Sequence, residues 1–292
     1  MQNECNLSII TINYNGYRDT SELIDSITFT DDMEVIVVDN ASTENEATLI
    51  TQHYPQVKTI RSDKNLGFAG GNNLGIKAAK GKYLFLINND TYFKDFNIQH
   101  LIKRLESSPI IGLVCPKIRF AWGNNPIQFA GYTPISKITV RNQAIGYGEK
   151  DNGQYDTPHP IPYAHGAAML IKRDAIEKVG LMPECYFLYY EELDWSMMFT
   201  RAGYDLWYEP ACTIYHKESQ STGQGSPLRT YYMTRNRLLL VKRNWQGLTK
   251  YLSFVYILSI VTTRDVIKYL LQRNINLLKA TLNGIKDFIF KL

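Results

Sequence analysis

The sequence predicts an α/β protein, a mainly parallel central sheet with helices on both faces, followed by a C-terminal helical, amphipathic appendage. Three observations carry that expectation. Residues 1–100 alternate short apolar strand runs with helical stretches, the rhythm of a covered parallel sheet. Polar groups stand at the carboxyl ends of three of those runs, where ligands of such sheets bind. Residues 224–292 then exchange this rhythm for a basic helical pattern.

Leu7–Asn13, Glu34–Asp39, Lys58–Arg61 and Tyr83–Asn88 read as short buried strands. They deliver Asn13–Tyr14–Asn15, Asp39–Asn40 and Asn88–Asn89–Asp90 to one edge. Between them the clearest helix is expected over Asn73–Lys80, closed by Gly81. It is opened by a glycine-rich turn, Lys64–Asn73, that allows close approach of backbone to a phosphate or sugar. The spacing is neither GxGxxG nor GxxxxGK, so no dinucleotide fingerprint or P-loop is present. Residues 122–162 are rich in Gly, Pro and Asn and read as an irregular connection able to cover a site.

Gly166–Lys172 reads as a strand, and a helix is expected from Glu191 to Ala202, stopped by Gly203. Its first turn holds Glu191, Glu192 and Asp194 between Tyr186–Tyr190 and Trp195, carboxylates suited to general-base work. Leu206–Pro210 and Thr213–His216 look like two short strands, the second ending on a histidine that a metal shared with Asp90 would explain. Asp90 closes an apolar strand, where a carboxylate with substrate phosphates suits a hard divalent cation.

The appendage is basic. The chain has a net charge of +4, yet residues 224–292 hold 12 Lys and Arg against 2 Asp and Glu. Such an end suits an anionic partner. No nucleic-acid module accompanies it. Tyr251–Thr263 is apolar but too short to span a bilayer. From Leu271 to Leu292 apolar residues recur in steps of four and three, predicting one helix that lies on a membrane surface or joins a homodimer. Four scattered cysteines without a CxxC pair, and a first run without the layout of a signal peptide, favour a cytoplasmic protein, peripheral on the inner face of the membrane.

Eight segments in register are similar to family 2 of the glycosyltransferases, above all its rhamnosyltransferase-like and galactofuranosyltransferase-like members. They are Ser8–Gly16, Glu34–Ser42, Asn65–Asn73, Leu86–Thr91, Gly166–Arg173 with Gly180, Phe187–Asp194, Ala202–Pro210 and His216. The resemblance implies a GT-A type, Rossmann-like fold and an inverting transfer from a nucleotide diphosphate sugar to a hydroxyl of a glycan or lipid-linked acceptor, in cell-surface polysaccharide synthesis. It implies that Asn13 and Tyr14 line the nucleobase cleft and that Asp39 binds base or ribose. Asn65, Gly67, Asn88 and Asn89 would border the donor. Asp90, in the position of the family's DxD, would hold Mg2+ or Mn2+ with help from His216. Glu192 would be the base, with Asp194 its rival, and Arg235 would stand by the diphosphate.

Two departures stand out: Asn88 replaces the first acid of DxD, and Glu192 stands where Asp is usual. Residues 1–223 are expected to form the catalytic domain, with a nucleotide half to about 120 and an acceptor half beyond, and 224–292 the basic helical region. Two other readings compete. A sugar-phosphate nucleotidyltransferase would need a basic triphosphate loop, and a non-catalytic glycan-binding or scaffold protein would leave the retained acids without use.

Overall fold

The computed structural model describes residues 5–218 and 225–292, so the expected boundary at 223 lies outside the described residues. Strands β1 (Leu7–Asn13), β2 (Met33–Asp39), β3 (Lys58–Arg61) and β4 (Tyr83–Ile87) pair in parallel in the order β3-β2-β1-β4. Their central members are apolar because helices cover both faces. Val35–Val38 and Leu84–Leu86 are fully buried. Helices α1 (Tyr17–Asp25) and α2 (Glu46–His53) make two of the crossovers.

The third crossover, α3, runs over Gly67–Ala78 and so starts six residues before the expected Asn73. Gly70, Gly71 and Gly75 are helical, not part of a loop, and Gly71 and Gly75 bring the helix down onto β1. A Cβ on Gly75 would lie 2.3 Å from Ile10 Cγ2, and one on Gly71 2.9 Å from Ile12 Cδ1. Glycine is read as a turn former, but here close packing decides.

Beyond β4 the sheet continues through β9 (Ala168–Lys172), β6 (Ile111–Phe120), β10 (Asp205–His216) and β5 (Thr91–Tyr92) in a mixed half. β9 runs antiparallel to both β4 and β6, while β10 is parallel to β6. The two short strands expected before His216 are one strand, β10, with a register shift between Glu209 and Thr213 where Pro210 removes a donor. Residues 122–162 form no separate flap. They contain β7 (Ile127–Phe129) and β8 (His159–Ile161), bury Phe129, Ile135 and Val140, and are pinned by the buried Lys117 ammonium between Asp151 and Asp156. α4 (Gln99–Glu106) and α5 (Arg173–Val179) complete this half, and α6 spans Glu191–Arg201.

After the last strand come α7 (Pro227–Asn244), α8 (Gly247–Val255), a π-helical turn Tyr256–Val261, α9 (Thr262–Leu271) and α10 (Ile275–Lys291). They build a second core in which Leu238–Val241, Trp245 and Ile257 meet Ile135, Val140, Tyr186, Tyr190 and Leu193. The helical region is therefore packed into the acceptor side of the sheet.

The single helix expected over 271–292 is broken. Arg273 takes φ +53°, and Asn274 caps α10 by accepting from the Leu277 amide at 3.1 Å. α10 meets α7 through Ala280, Thr281 and Gly284, whose missing Cβ leaves room for Tyr231 O. Leu271, Ile275, Leu282 and Ile289 of the apolar stripe stay exposed. Among the described residues no helix is long and apolar enough to cross a membrane.

Candidate functional site

One cleft of about 1130 Å³ lies beyond the carboxyl ends of β1 and β4 and reaches across α6 to the C-terminal helices. Tyr14, Asn65, Gly67, Asn88, Asn89, Asp90, Glu192 and His216 all line it. Four other expected residues do not, and each has a physical reason.

Asn13 and Asp39 lie beneath the floor with no exposed surface. Asp39 Oδ2 accepts from Arg61 Nη1 at 2.8 Å, and its Oδ1 accepts from Asn13 Nδ2 at 3.3 Å and from the Ser42 amide at 3.3 Å. Asn13 Nδ2 also donates to Glu46 Oε2 at 2.7 Å, which in turn accepts from the Gly16 amide at 3.0 Å. These two residues shape the Tyr14–Gly16 rim from below.

Asn65 has a related task at the mouth of α3. Its Oδ1 accepts from the Gly67 amide at 2.8 Å and from Asn40 Nδ2 at 3.1 Å, while Asn40 Oδ1 accepts from the Leu66 amide at 2.9 Å. Gly67 has φ +71°, and a Cβ there would strike Phe187 O at 2.2 Å. The contact ties α3 to the loop that enters α6.

That loop is strained. Phe187, Tyr189 and Tyr190 all take positive φ, which non-glycine residues adopt only when their surroundings impose it. The restraint comes from α7. Asn236, fully buried, donates through Nδ2 to the carbonyls of Tyr186 (3.0 Å), Leu188 (2.7 Å) and Tyr189 (2.9 Å). Arg235, expected at the diphosphate, instead donates to Cys185 O at 3.1 Å and Tyr186 O at 2.6 Å, its guanidinium set over the Tyr231 and Tyr232 rings. The cleft's own guanidiniums are Arg141, Arg229 and Arg237.

The strained loop fixes which acid of α6 faces the cleft. Asp194, the rival base, points away. It is fully buried, with Oδ2 accepting from Arg243 Nε at 2.5 Å and from the Tyr186 hydroxyl at 3.0 Å, and Oδ1 accepting from Asn244 Nδ2 at 2.9 Å. Helical spacing explains this: residues two apart on a helix face different ways, so Glu192 and Asp194 cannot share one cleft. Glu192 opens into the cleft, and burial pushes its carboxyl up to about 7. Glu191, buried beside it with Oε2 unpartnered, is pushed well above the ordinary carboxylate range by burial and by Glu192.

At the other end, His216 Nε2 stands 3.1 Å from Asp90 Oδ1. Its Nδ1 lies 2.8 Å from Gln128 Oε1. An amide oxygen only accepts, so Nδ1 is the donor in that contact and Nε2 is the ring atom turned toward the carboxylate. Two ligands at adjacent corners of an octahedron with bonds of roughly 2.1 Å sit about 3.0 Å apart. The pair therefore fits one edge of a Mg2+ or Mn2+ shell. Among the described residues no cluster of three or more His, Cys, Asp or Glu is disposed to hold a metal. Gln128 and Arg141 escaped sequence reasoning because they lie in segments without motif character, and only folding brings them here.

Comparison with known proteins gives the family and the fold. Residues 8–180 match the model of glycosyl transferase family 2. The chain is 24% identical over 283 residues to the low-salt glycan biosynthesis hexosyltransferase Agl10 of Haloferax volcanii, covering 95% of this chain and 89% of that protein. It is 24% identical over 212 residues to an N-acetylglucosaminyl-diphospho-decaprenol L-rhamnosyltransferase of Mycobacterium tuberculosis, covering 66% of this chain and 69% of that one. Among solved structures, the mannosyltransferase PcManGT of Pyrobaculum calidifontis in complex with GDP-Man and Mn2+ superposes with a TM-score of 0.59 at 14% identity, covering 98% of this chain and 87% of that chain. With its fold that of the GT-A enzymes and well over half of its length matched by the family model, this chain belongs to glycosyltransferase family 2.

Proposed function

We propose that this protein is an inverting, divalent-metal-dependent transferase that moves a sugar from a nucleotide diphosphate to a hydroxyl of a glycan or lipid-linked acceptor. The observation that carries this reading is that a single cleft places the Asp90–His216 pair at the ends of the parallel strands and Glu192 at the N-terminus of α6. The solved neighbour with GDP-Man and Mn2+ supports the donor class and the cation.

Tyr14 and Asn15 on the rim, with Asn40, Asn65 and the Gly67 turn, would receive the nucleoside. Asp90 and His216 would hold the cation on the diphosphate, where it supplies charge stabilisation to the departing nucleoside diphosphate. Glu192 takes the proton of the acceptor hydroxyl as that oxygen bonds to the anomeric carbon from the face opposite the leaving group. The pair of electrons of the broken anomeric C–O bond leaves with the nucleoside diphosphate. A carboxylate pushed toward 7 is well matched to a base that works near neutrality. Asn236 and Arg235 hold the strained loop that aims it.

The surface supports a place at an anionic membrane. Leu248, Tyr251 and Val255 project from α8 with 72%, 67% and 62% of their surface exposed, and Leu271 ends α9 at 80%. This apolar face belongs to the basic part of the chain, which suits anionic headgroups.

The test of the reaction is donor hydrolysis and transfer with a panel of nucleotide sugars. Activity should require Mn2+ or Mg2+, and Asp90→Ala should remove it while circular dichroism shows an unchanged fold. Full turnover in excess chelator would overturn the metal-dependent reading.

A further inference from the structure

The far end of the cleft holds cations that the donor chemistry above does not use. Arg237 on α7 is only 8% exposed, lines the cleft, and leaves its Nε without a partner. One of its terminal nitrogens is occupied by Thr139 O. Arg141 and Asn142 line the same stretch, and Asn142 Nδ2 is also buried without a partner.

Among the described residues neither Arg141 nor Arg237 has an ion pair. The charges that act on Arg237 are those of Arg141 and Arg264, with the hydroxyls of Tyr190 and Tyr256, and burial holds its pKa below the usual guanidinium range. Arg264 is already neutralised by Asp265 at 2.6 Å. A buried guanidinium that feels a second one, with no carboxylate paired to either, is an unfavourable arrangement for the protein alone. It becomes favourable when an anion fills the space between them.

The position of these groups indicates which substrate brings that anion. Tyr190 lines the cleft with Glu192, Arg141 and Arg237, and its hydroxyl feels all three charges. The cations are walled by Ile135, Val140, Ile257 and Val261, not by the Asn40–Asn65–Gly67 cradle. The π-helical turn that sends Ile257 and Val261 inward sends Leu258 and Ile260 to the surface, beside the apolar face of α8. An anion here would therefore have an apolar route out toward the exposed helices.

We propose that Arg141 and Arg237, with Asn142, form the subsite for the phosphate or diphosphate of a sugar-bearing ester of a long hydrocarbon chain, a hydroxyl of that sugar being the acceptor and the chain leaving along Ile257 and Val261. This rests on the glycosyltransferase reading and adds the acceptor class and its residues to it. The anionic group anchors the acceptor at a fixed reach from Glu192, and the hydrocarbon stays in contact with the surface on which the protein sits.

The test is calorimetric titration of the full chain, in chelator, with farnesyl diphosphate, farnesol and pyrophosphate. Farnesyl diphosphate should bind at least tenfold more tightly than either fragment. Arg141→Gln should weaken it by roughly tenfold or more, as expected for a lost guanidinium–phosphate bond, and Arg237→Met should do the same. Because the Arg141 side chain is exposed, that variant decides the matter if Arg237→Met fails to fold.

Affinity within twofold of the unmodified protein in Arg141→Gln would overturn the proposal. So would pyrophosphate binding as tightly as farnesyl diphosphate, which would mark a site for a free anion. A loss confined to nucleotide-sugar binding in Mn2+ would reassign the guanidiniums to the donor and also overturn it. Nucleotide-sugar hydrolysis by the unmodified protein, measured in parallel, separates the two readings. Its absence with farnesyl diphosphate binding intact sinks the enzyme reading alone, and the converse sinks the subsite alone.

Discussion

Glu192 shows what environment does to a residue type. A carboxyl is an indifferent base in water, but burial at the mouth of α6 pushes this one up to about 7. The sign follows directly. As the proposed base Glu192 would work only when ionised, so kcat/KM should rise with pH through about 7 and fall about tenfold for each unit below it. Glu192→Gln should lower turnover by roughly 10²–10⁴-fold and abolish that acidic limb while leaving donor affinity in place. A pH profile in Glu192→Gln that keeps the same limb would show that another group titrates. The departure from the usual Asp at this position becomes intelligible here, since the strained Phe187–Tyr190 loop that leads into α6 sets the reach of the longer side chain.

At the scale of elements, α6 and α7 form one device. Asp194 on α6 is clamped by Arg243 and Asn244 of α7, and Asn236 of α7 holds the carbonyls that precede α6. Removing one partner of a buried charge pair costs about 3–5 kcal/mol. Asp194→Ala should therefore lower the thermal midpoint by several degrees, with activity lost in step with unfolding. An Asp194→Ala protein that melts normally yet is inactive would return this residue to the catalytic role. α3 teaches the complementary point. Its glycines predicted a phosphate-binding turn in the sequence, and in the fold Gly71 and Gly75 let a helix rest on Ile10 and Ile12.

For the whole molecule, the helical region and the sheet share a core. Trp245 and Ile257 pack with Ile135 and Tyr190, so cutting the chain after α7 would strip the core along with any membrane contact. Point changes on the exposed face make the cleaner probe. The intact protein should float with phosphatidylglycerol vesicles and less so as salt rises, since each Lys or Arg near an anionic surface adds about 1 kcal/mol. Replacing Leu248, Tyr251 and Val255 together by Ser should release it, because burying each such side chain contributes roughly 1.5–3 kcal/mol. If the intact chain stays in solution and the triple change instead turns a dimer into a monomer, the face is a subunit contact.

By itself the sequence determined the parallel strands, the edge on which the polar groups gather, and the family. These follow from local apolar runs and from motifs whose residues lie close together in the chain. It also pointed to Asp90, His216 and Glu192, which the fold brings to one cleft. The tertiary structure alone decided that Glu192 lines the cleft while Asp194 is buried against α7, because that depends on the angle at which the strained loop launches α6. It decided that Asn13, Asp39 and Arg235 support the cleft without lining it, and that Arg141 and Arg237 line it together. Those pairings join segments far apart in the chain, and their partners are set by packing, which no local pattern of residues records.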